Sequence, residues 1–158
     1  MLDRFTVGPL TLLAVRYRWS NIYQPVGRSH NAVFSQGFSP VQQRSDLKKY
    51  MKKILFVCHG NICRSVMAEM VMRHLVAEAG REDEFVIDSC ATSREEIGND
   101  IYPPAKRCLS AHSVPFSRHA ARQITKANYK EFDLILCMEE YNIRNLRHTL
   151  GAALLEED

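Results

Sequence analysis

The feature that most constrains the fold is a short apolar run followed at once by a polar loop and a helical pattern. The run is Ile54–Val57, the loop begins at Cys58, and apolar residues recur at helical spacing from Ser65 to Ala79. A continuous apolar run of this length is typical of a strand buried on both faces of a parallel sheet. A strand that leads through a short loop into a helix predicts an α/β fold.

The chain beyond residue 80 repeats this alternation of strand and helix. The predicted elements are strands at Phe85–Ile87 and Leu134–Met138, and helices at Pro103–Ala111, from Thr125 as the cap to Lys130, and at Glu139–Leu150, which Gly151 ends. Strands separated by helices imply a parallel sheet with helices on both faces. Leu154–Leu155 is a possible start of a fourth strand, without which Leu134–Met138 would be an exposed sheet edge.

The first fifty residues differ in charge from the rest. Residues 1–50 carry seven Lys and Arg against two Asp, a net charge of +5, whereas residues 51–158 have a net charge of −2. No helical or strand pattern is found before Met51, so residues 1–50 are predicted to be a disordered basic extension, and residues 51–158 the folded domain. A tail that binds an acidic partner is the alternative, but no nucleic-acid binding is predicted.

Cysteine usage indicates a reducing compartment. The five cysteines are odd in number, and no C-x-x-C or Cys/His zinc spacing occurs, so neither a disulfide framework nor a metal site is predicted. The apolar run Pro9–Val15 is too short to span a membrane and is followed directly by arginines. We therefore expect a cytoplasmic protein without a membrane partner, in which Cys90, Cys108 and Cys137 are small core residues.

The loop Cys58–Ser65 carries the chemistry. It lies where a strand ends and a helix begins, which is where open α/β sheets bind ligands and where unpaired N–H groups attract anions. Gly60 supplies the freedom that a tight turn requires, and Asn61 tolerates left-handed geometry. The composition predicts a loop whose backbone cradles a phosphate group.

Three side chains in this loop suit phosphoryl transfer. The unpaired N–H groups that attract a phosphate also stabilise the negatively charged thiolate of Cys58, which is the expected nucleophile. Arg64 can bind two phosphoryl oxygens, and Ser65 can donate a hydrogen bond to the sulfur. Cysteinyl-phosphate formation followed by hydrolysis is the expected reaction, and it requires no metal and no cofactor.

Four segments of the sequence together resemble the low-molecular-weight protein tyrosine phosphatases: Val57–Glu69, Ile87–Asn99, Arg118–Thr125 and Phe132–Leu146. The resemblance covers roughly residues 52–150 and implies the Rossmann-like fold of that family. It implies that Cys58, Arg64 and Ser65 are catalytic and that the phosphate is bound by His59, Gly60, Asn61, Ile62, Cys63 and Arg64. It further implies that Asn61, Ser89 and His119 support the loop and that Cys63 pairs with Cys58 under oxidation.

The sequence departs from the family pattern in three respects. Residues 1–50 have no counterpart in the family, and Glu95 stands where an aromatic residue often borders the substrate cleft. Family members carry an Asp-Pro pair whose Asp protonates the leaving oxygen, but this sequence contains none. We therefore expect a phosphatase domain that lacks the family's last strand and helix, with impaired turnover of poor leaving groups.

The expected substrates are phosphotyrosine in proteins or small aryl phosphates, with inorganic phosphate or vanadate as inhibitors. One alternative is an arsenate reductase of the same fold, although the closely spaced cysteine pair of those enzymes is not found. A phosphoarginine phosphatase is another relative, but its members tend to carry Thr where this chain has Ile62. The non-enzymatic alternatives are a phosphate-binding protein or a non-functional fragment.

Overall fold

The computed structural model of the protein describes residues 3–7, 10–17 and 51–151. Their strands and helices are β1 Asp3–Val7, β2 Leu10–Tyr17, β3 Lys52–Cys58, α1 Arg64–Glu78, β4 Phe85–Ala91, α2 Pro103–Ala111, α3 Lys126–Glu131, β5 Leu134–Cys137 and α4 Glu140–Leu150. A 3₁₀ turn at Glu82–Glu84 precedes β4.

The strands form one sheet with the order β1-β2-β5-β3-β4. The central strand β3 is parallel to both β4 and β5, with Val57 aligned to Cys90 on one side and to Cys137 on the other. The carboxyl ends of these three strands therefore lie at the same edge of the sheet. This parallel unit confirms the α/β fold predicted from the sequence.

Alternate residues of β3 serve two different cores. Leu55 and Val57 belong to a cluster that is completed by side chains of α3 and α4, such as Tyr129 and Leu146. Ile54 and Phe56 belong to a second cluster, on which Met72 of α1 packs. Helices thus cover both faces of the sheet, and both faces of β3 are buried, as its continuous apolar run predicts.

The predicted boundaries of the helices are confirmed to within a residue or two. Pro103 occupies the first turn of α2, where its missing N–H costs no hydrogen bond. Thr125 caps α3 by accepting a hydrogen bond from the backbone N–H of Asn128, whose side chain accepts one from the N–H of Thr125 in return. Gly151, with φ of +90°, ends α4.

The sheet edge beside β5 differs from the sequence-based expectation. β1 and β2 form an antiparallel hairpin, and β2 pairs antiparallel with β5 from Leu13↔Cys137 to Tyr17↔Leu134. β2 therefore covers β5, which was expected to be an exposed edge. β2 itself lies in the first fifty residues, where the sequence predicts no strand. No local pattern records this pairing, because the two strands lie far apart in the chain. The possible strand start at Leu154–Leu155 lies outside the described residues.

One face of α1 is less buried than its apolar pattern predicts. Val66 and Met70 are buried against α2, but Val71 and Leu75 are 37% and 56% exposed. The helix buries Ser65 and Glu69 instead, since that face meets the loop and β4. Among the described residues, no helix combines the length and apolar character that crossing a membrane requires.

Candidate active site

The loop between β3 and α1 lies at the edge of the sheet where the parallel strands end. The carbonyl groups of Cys58, His59 and Ile62 accept hydrogen bonds from the backbone N–H groups of Thr92, Ser93 and Tyr102 at 2.8, 3.0 and 2.8 Å. The N–H of a trans peptide points away from the carbonyl of the same unit. The N–H groups that follow the three carbonyls, those of His59, Gly60 and Cys63, are therefore directed away from the residues that bind the carbonyls.

The Cys58 sulfur lies at the base of this loop and receives two polar contacts. The side chain is 3% exposed. The backbone N–H of Asn61 donates to Sγ at 3.2 Å, and the Ser65 hydroxyl lies 3.0 Å from it. Ser65 Oγ accepts a hydrogen bond from Asn61 Nδ2 at 3.0 Å, which leaves the hydroxyl hydrogen available to the sulfur.

Asn61 is the centre of the network that shapes the loop. Its backbone has φ of +59°, a left-handed conformation that Asn adopts more readily than most residues, and its side chain is fully buried. Nδ2 donates to both Ser65 Oγ and Ser89 Oγ, the latter at 2.8 Å. Oδ1 accepts from the backbone N–H of Arg122 at 3.2 Å. Every polar atom of this buried amide therefore has a partner.

His119 fixes the outer side of the Asn61 turn. Its Nε2 lies 2.8 Å from the Asn61 carbonyl oxygen and 3.1 Å from Oδ1. Both atoms are acceptors, so Nε2 must carry a hydrogen. Asp100 holds the His119 backbone by accepting its N–H at 3.0 Å. The hydrogen bond from Lys106, with those from the backbone of His119 and Ile101, holds the pKa of the Asp100 carboxyl well below its usual range.

A buried carboxylate extends the network into α1. Glu69 is 5% exposed, and its two oxygens accept hydrogen bonds from Ser89 Oγ at 2.6 Å and from Arg73 Nε at 2.9 Å. Glu69 was not predicted from the sequence as a site residue. Its spacing of four residues from both Ser65 and Arg73 places the three on neighbouring turns of one helix, which is the signal that was available.

Arg64 contacts Glu139, a second residue that was not predicted from the sequence. Arg64 Nη1 donates to Glu139 Oε1 at 2.6 Å, and both side chains are about half exposed, at 45% and 44%. Glu139 follows β5 in the chain, so it lies at the same edge of the sheet as the loop. The remaining N–H groups of the guanidinium suffice for a bidentate contact with an oxyanion.

The other cysteines are in different environments. Cys90 and Cys137 are fully buried, and burial raises the pKa of both thiols, that of Cys137 to about 12. Cys63 is partly buried, and its pKa is raised first by burial and then by the nearby Cys58. Cys108 is exposed, so its prediction as a core residue is wrong. It lies on the solvent side of α2, whose buried residues are Ala105 and Leu109.

The structure brings the predicted site residues together around one loop. Cys58, Asn61, Ser65, Ser89 and His119 form a continuous set of contacts, and Arg64 lies at its rim. Within residues 51–151, no three His, Cys, Asp or Glu side chains are grouped so that they could hold a metal ion.

Residues 53–154 match the family model described as low molecular weight phosphotyrosine protein phosphatase. The human protein with this description is 50% identical to the chain over 95 residues, which are 60% of either chain. The crystal structure of SP-PTP, a low molecular weight protein tyrosine phosphatase from Streptococcus pyogenes, superposes with a TM-score of 0.58 at 39% identity, covering 62% of this chain and 63% of its own.

A Drosophila arginine phosphatase also resembles the chain, with a TM-score of 0.57 and 31% identity over 61% of this chain and 60% of its own. The chain spans about 60% of the length of the human relative. The match to the family model, over residues 53–154, includes the loop, α1, β4 and β5, on which the candidate site is built.

Proposed function

The chain belongs to the low molecular weight phosphotyrosine protein phosphatase family, and from this membership we propose that it hydrolyses aryl phosphate monoesters, phosphotyrosine in proteins among them. The observation that carries the proposal is the position of the Cys58 sulfur, which is buried at the base of the loop in contact with the Asn61 N–H and the Ser65 hydroxyl. Such an arrangement suits attack by sulfur on a phosphorus atom held above it.

The reaction proceeds in two displacements. The Cys58 thiolate forms an S–P bond while the bond from phosphorus to the aryl oxygen breaks, and the aryloxide leaves with the electron pair. Water then attacks phosphorus, and the S–P bond breaks to release phosphate and regenerate the thiolate. The N–H of Asn61 and the hydroxyl of Ser65, both in contact with the sulfur, stabilise it as a nucleophile and as a leaving group.

Arg64 binds the phosphoryl group, and the network behind the loop positions it. The guanidinium lies at the rim, where it can contact two equatorial oxygens and stabilise their charge. Asn61, Ser89, His119 and Glu69 hold the backbone N–H groups in place before the substrate arrives, so little reorganisation accompanies the reaction.

The rate of hydrolysis is expected to depend strongly on the leaving group of the substrate. No Asp-Pro pair occurs in the sequence, so the family's proton donor has no counterpart in it. General-acid assistance is worth on the order of 10² to 10⁴ in rate. We expect hydrolysis of p-nitrophenyl phosphate, whose phenolate leaves without a proton, to exceed hydrolysis of phosphotyrosine by a factor in this range.

The proposal is tested by trapping the covalent intermediate. The chain should release p-nitrophenol from p-nitrophenyl phosphate, and acid quenching during turnover should leave phosphate on the peptide that contains Cys58, detected by mass spectrometry. Vanadate in the assay should abolish both signals. Turnover without phosphate on Cys58 would contradict the mechanism. Absence of turnover, with thermal stabilisation by inorganic phosphate, would favour a phosphate-binding protein instead.

The neighbouring thiol Cys63 is proposed to protect the nucleophile. Peroxide converts the Cys58 thiolate to a sulfenic acid, which condenses with the Cys63 thiol to a disulfide and releases water. We expect activity lost to peroxide to return with dithiothreitol in the parent chain. In Cys63→Ser it should remain lost to a large extent, because excess peroxide oxidises the sulfenic acid further to a sulfinic acid that dithiothreitol does not reduce. The matched control is Cys137→Ser, which should recover like the parent. Equal recovery in all three chains would rule out a protective role for Cys63.

Phosphoarginine is the second substrate to compare, because a Drosophila arginine phosphatase is among the structural relatives. Ile62, where arginine phosphatases tend to carry Thr, favours phosphotyrosine. Measuring both substrates on one preparation of the chain, with phosphate release as the common readout, decides between them.

A further inference from the structure

Two aromatic rings lie at the rim of the Cys58 loop. His59 follows the nucleophile directly, and the centroid of its ring is 6.2 Å from that of Tyr141, with a 39° angle between the planes. Tyr141 lies in the first turn of α4, two residues after the Glu139 that contacts Arg64. The pair therefore extends from the nucleophile's neighbour to the helix that borders the phosphate-binding arginine.

Each ring is held by a charged partner. The His59 Nε2 lies 3.0 Å from Glu95 Oε2, and the Arg144 guanidinium carbon lies 5.8 Å from the centre of the Tyr141 ring. A ring that is already restrained loses less conformational freedom when a ligand packs on it. These contacts keep both rings in place beside the opening of the loop.

The Tyr141 side chain is exposed to solvent and is not part of the hydrophobic core. It is 49% exposed, whereas Ile143 and Leu146 of the same helix are buried in the core. An exposed ring in contact with a loop residue next to the nucleophile is available to a ligand. Aromatic side chains bind aryl groups through stacked or edge-to-face contacts, which alkyl groups do not reproduce.

We infer that the rings of Tyr141 and His59 form the wall against which the aryl group of a substrate packs, and that Tyr141 determines the preference for aryl over alkyl phosphates. This inference rests on the proposed function, since it assumes that the phosphate lies in the Cys58 loop. The ring of an aryl phosphate held there would extend beyond the phosphate-binding loop, where His59 follows the nucleophile and Tyr141 lies beside His59.

The test measures binding rather than turnover, so that it does not depend on the leaving group. Dissociation constants of inorganic phosphate, methylphosphonate and benzylphosphonate are measured for the full chain by isothermal titration calorimetry. Tyr141→Ala should weaken benzylphosphonate binding by about 3- to 10-fold, in line with the usual size of an aromatic contact, and change the other two by less than about 2-fold. Tyr141→Phe should retain the parent's affinities, because the ring is kept.

Two further variants sharpen the assignment. Leu75→Ala removes an exposed apolar side chain from the distant end of α1 and should leave all three constants unchanged. Tyr102 is 48% exposed, and its backbone N–H contacts the loop at Ile62, so it is the competing aromatic residue. Selective loss of benzylphosphonate binding in Tyr102→Ala, but not in Tyr141→Ala, would overturn the inference.

The remaining outcomes are also decisive. Equal weakening of all three ligands in Tyr141→Ala would mean that the residue only supports the loop, and an unchanged benzylphosphonate constant would mean that the ring is not contacted. Either result would overturn the proposal of an aromatic wall, but it would not contradict phosphate binding in the Cys58 loop. Failure of all three ligands to bind the parent chain overturns the proposed function together with this inference.

Discussion

Replacing Cys58 by serine should reduce hydrolysis of p-nitrophenyl phosphate by a factor on the order of 10⁴ or more, to the background rate. Loss of the nucleophile in enzymes that form covalent intermediates commonly has effects of this size or larger. The serine hydroxyl would keep the contacts at the base of the loop, but it is a much weaker nucleophile than a thiolate near neutral pH. The measurement is the initial rate at saturating substrate, followed by the absorbance of the p-nitrophenolate product.

Phosphate binding provides the control for this substitution. The backbone N–H groups and Arg64 do not depend on the sulfur, so inorganic phosphate should raise the melting temperature of Cys58→Ser at least as much as that of the parent. Cys137→Ser, which changes a buried cysteine at the end of the neighbouring strand β5, should keep most of the parent's activity. A rate for Cys58→Ser within tenfold of the parent would refute Cys58 as the nucleophile.

Replacing Asn61 by alanine should destabilise the protein by about 2–5 kcal/mol, a large effect for one substitution. Alanine in the left-handed conformation, at φ of +59°, costs about 1–2 kcal/mol. The Arg122 N–H loses its acceptor, at about 1–3 kcal/mol for a group left unsatisfied, whereas the hydroxyls of Ser65 and Ser89 keep their contacts with Cys58 and Glu69. Urea unfolding with linear extrapolation measures the change.

Two companion variants separate the contributions at Asn61. Asn61→Gly removes the same side chain without the backbone strain, so it should be more stable than Asn61→Ala by about 1 kcal/mol. Asn99→Ala removes an exposed amide that contacts Glu96, and it should change stability by less than about 0.5 kcal/mol. A loss below 1 kcal/mol in Asn61→Ala would show that the buried network does not determine the shape of the loop.

The sequence predicts the elements that position the site because their signals are local. The apolar run of β3, the spacing in α1 and the caps at Pro103, Thr125 and Gly151 each depend on residues a few positions apart. The loop residues Cys58, Asn61, Arg64 and Ser65 are also close in sequence, so their grouping follows once the strand and helix are recognised. Ser89 and His119 are distant in sequence, and only the family resemblance indicated them.

Local sequence patterns are therefore enough to predict the parallel α/β unit and the residues of the phosphate loop. The tertiary structure alone decided the partners of those residues: Glu69 behind Ser89, Glu139 on Arg64, and Tyr141 beside His59. The tertiary structure also places β2 against the edge of β5, and it leaves Cys108, Val71 and Leu75 exposed to solvent. The physical reason is the same throughout, since contacts between residues far apart in the chain depend on how strands and helices pack, and neither residue's local pattern contains that information.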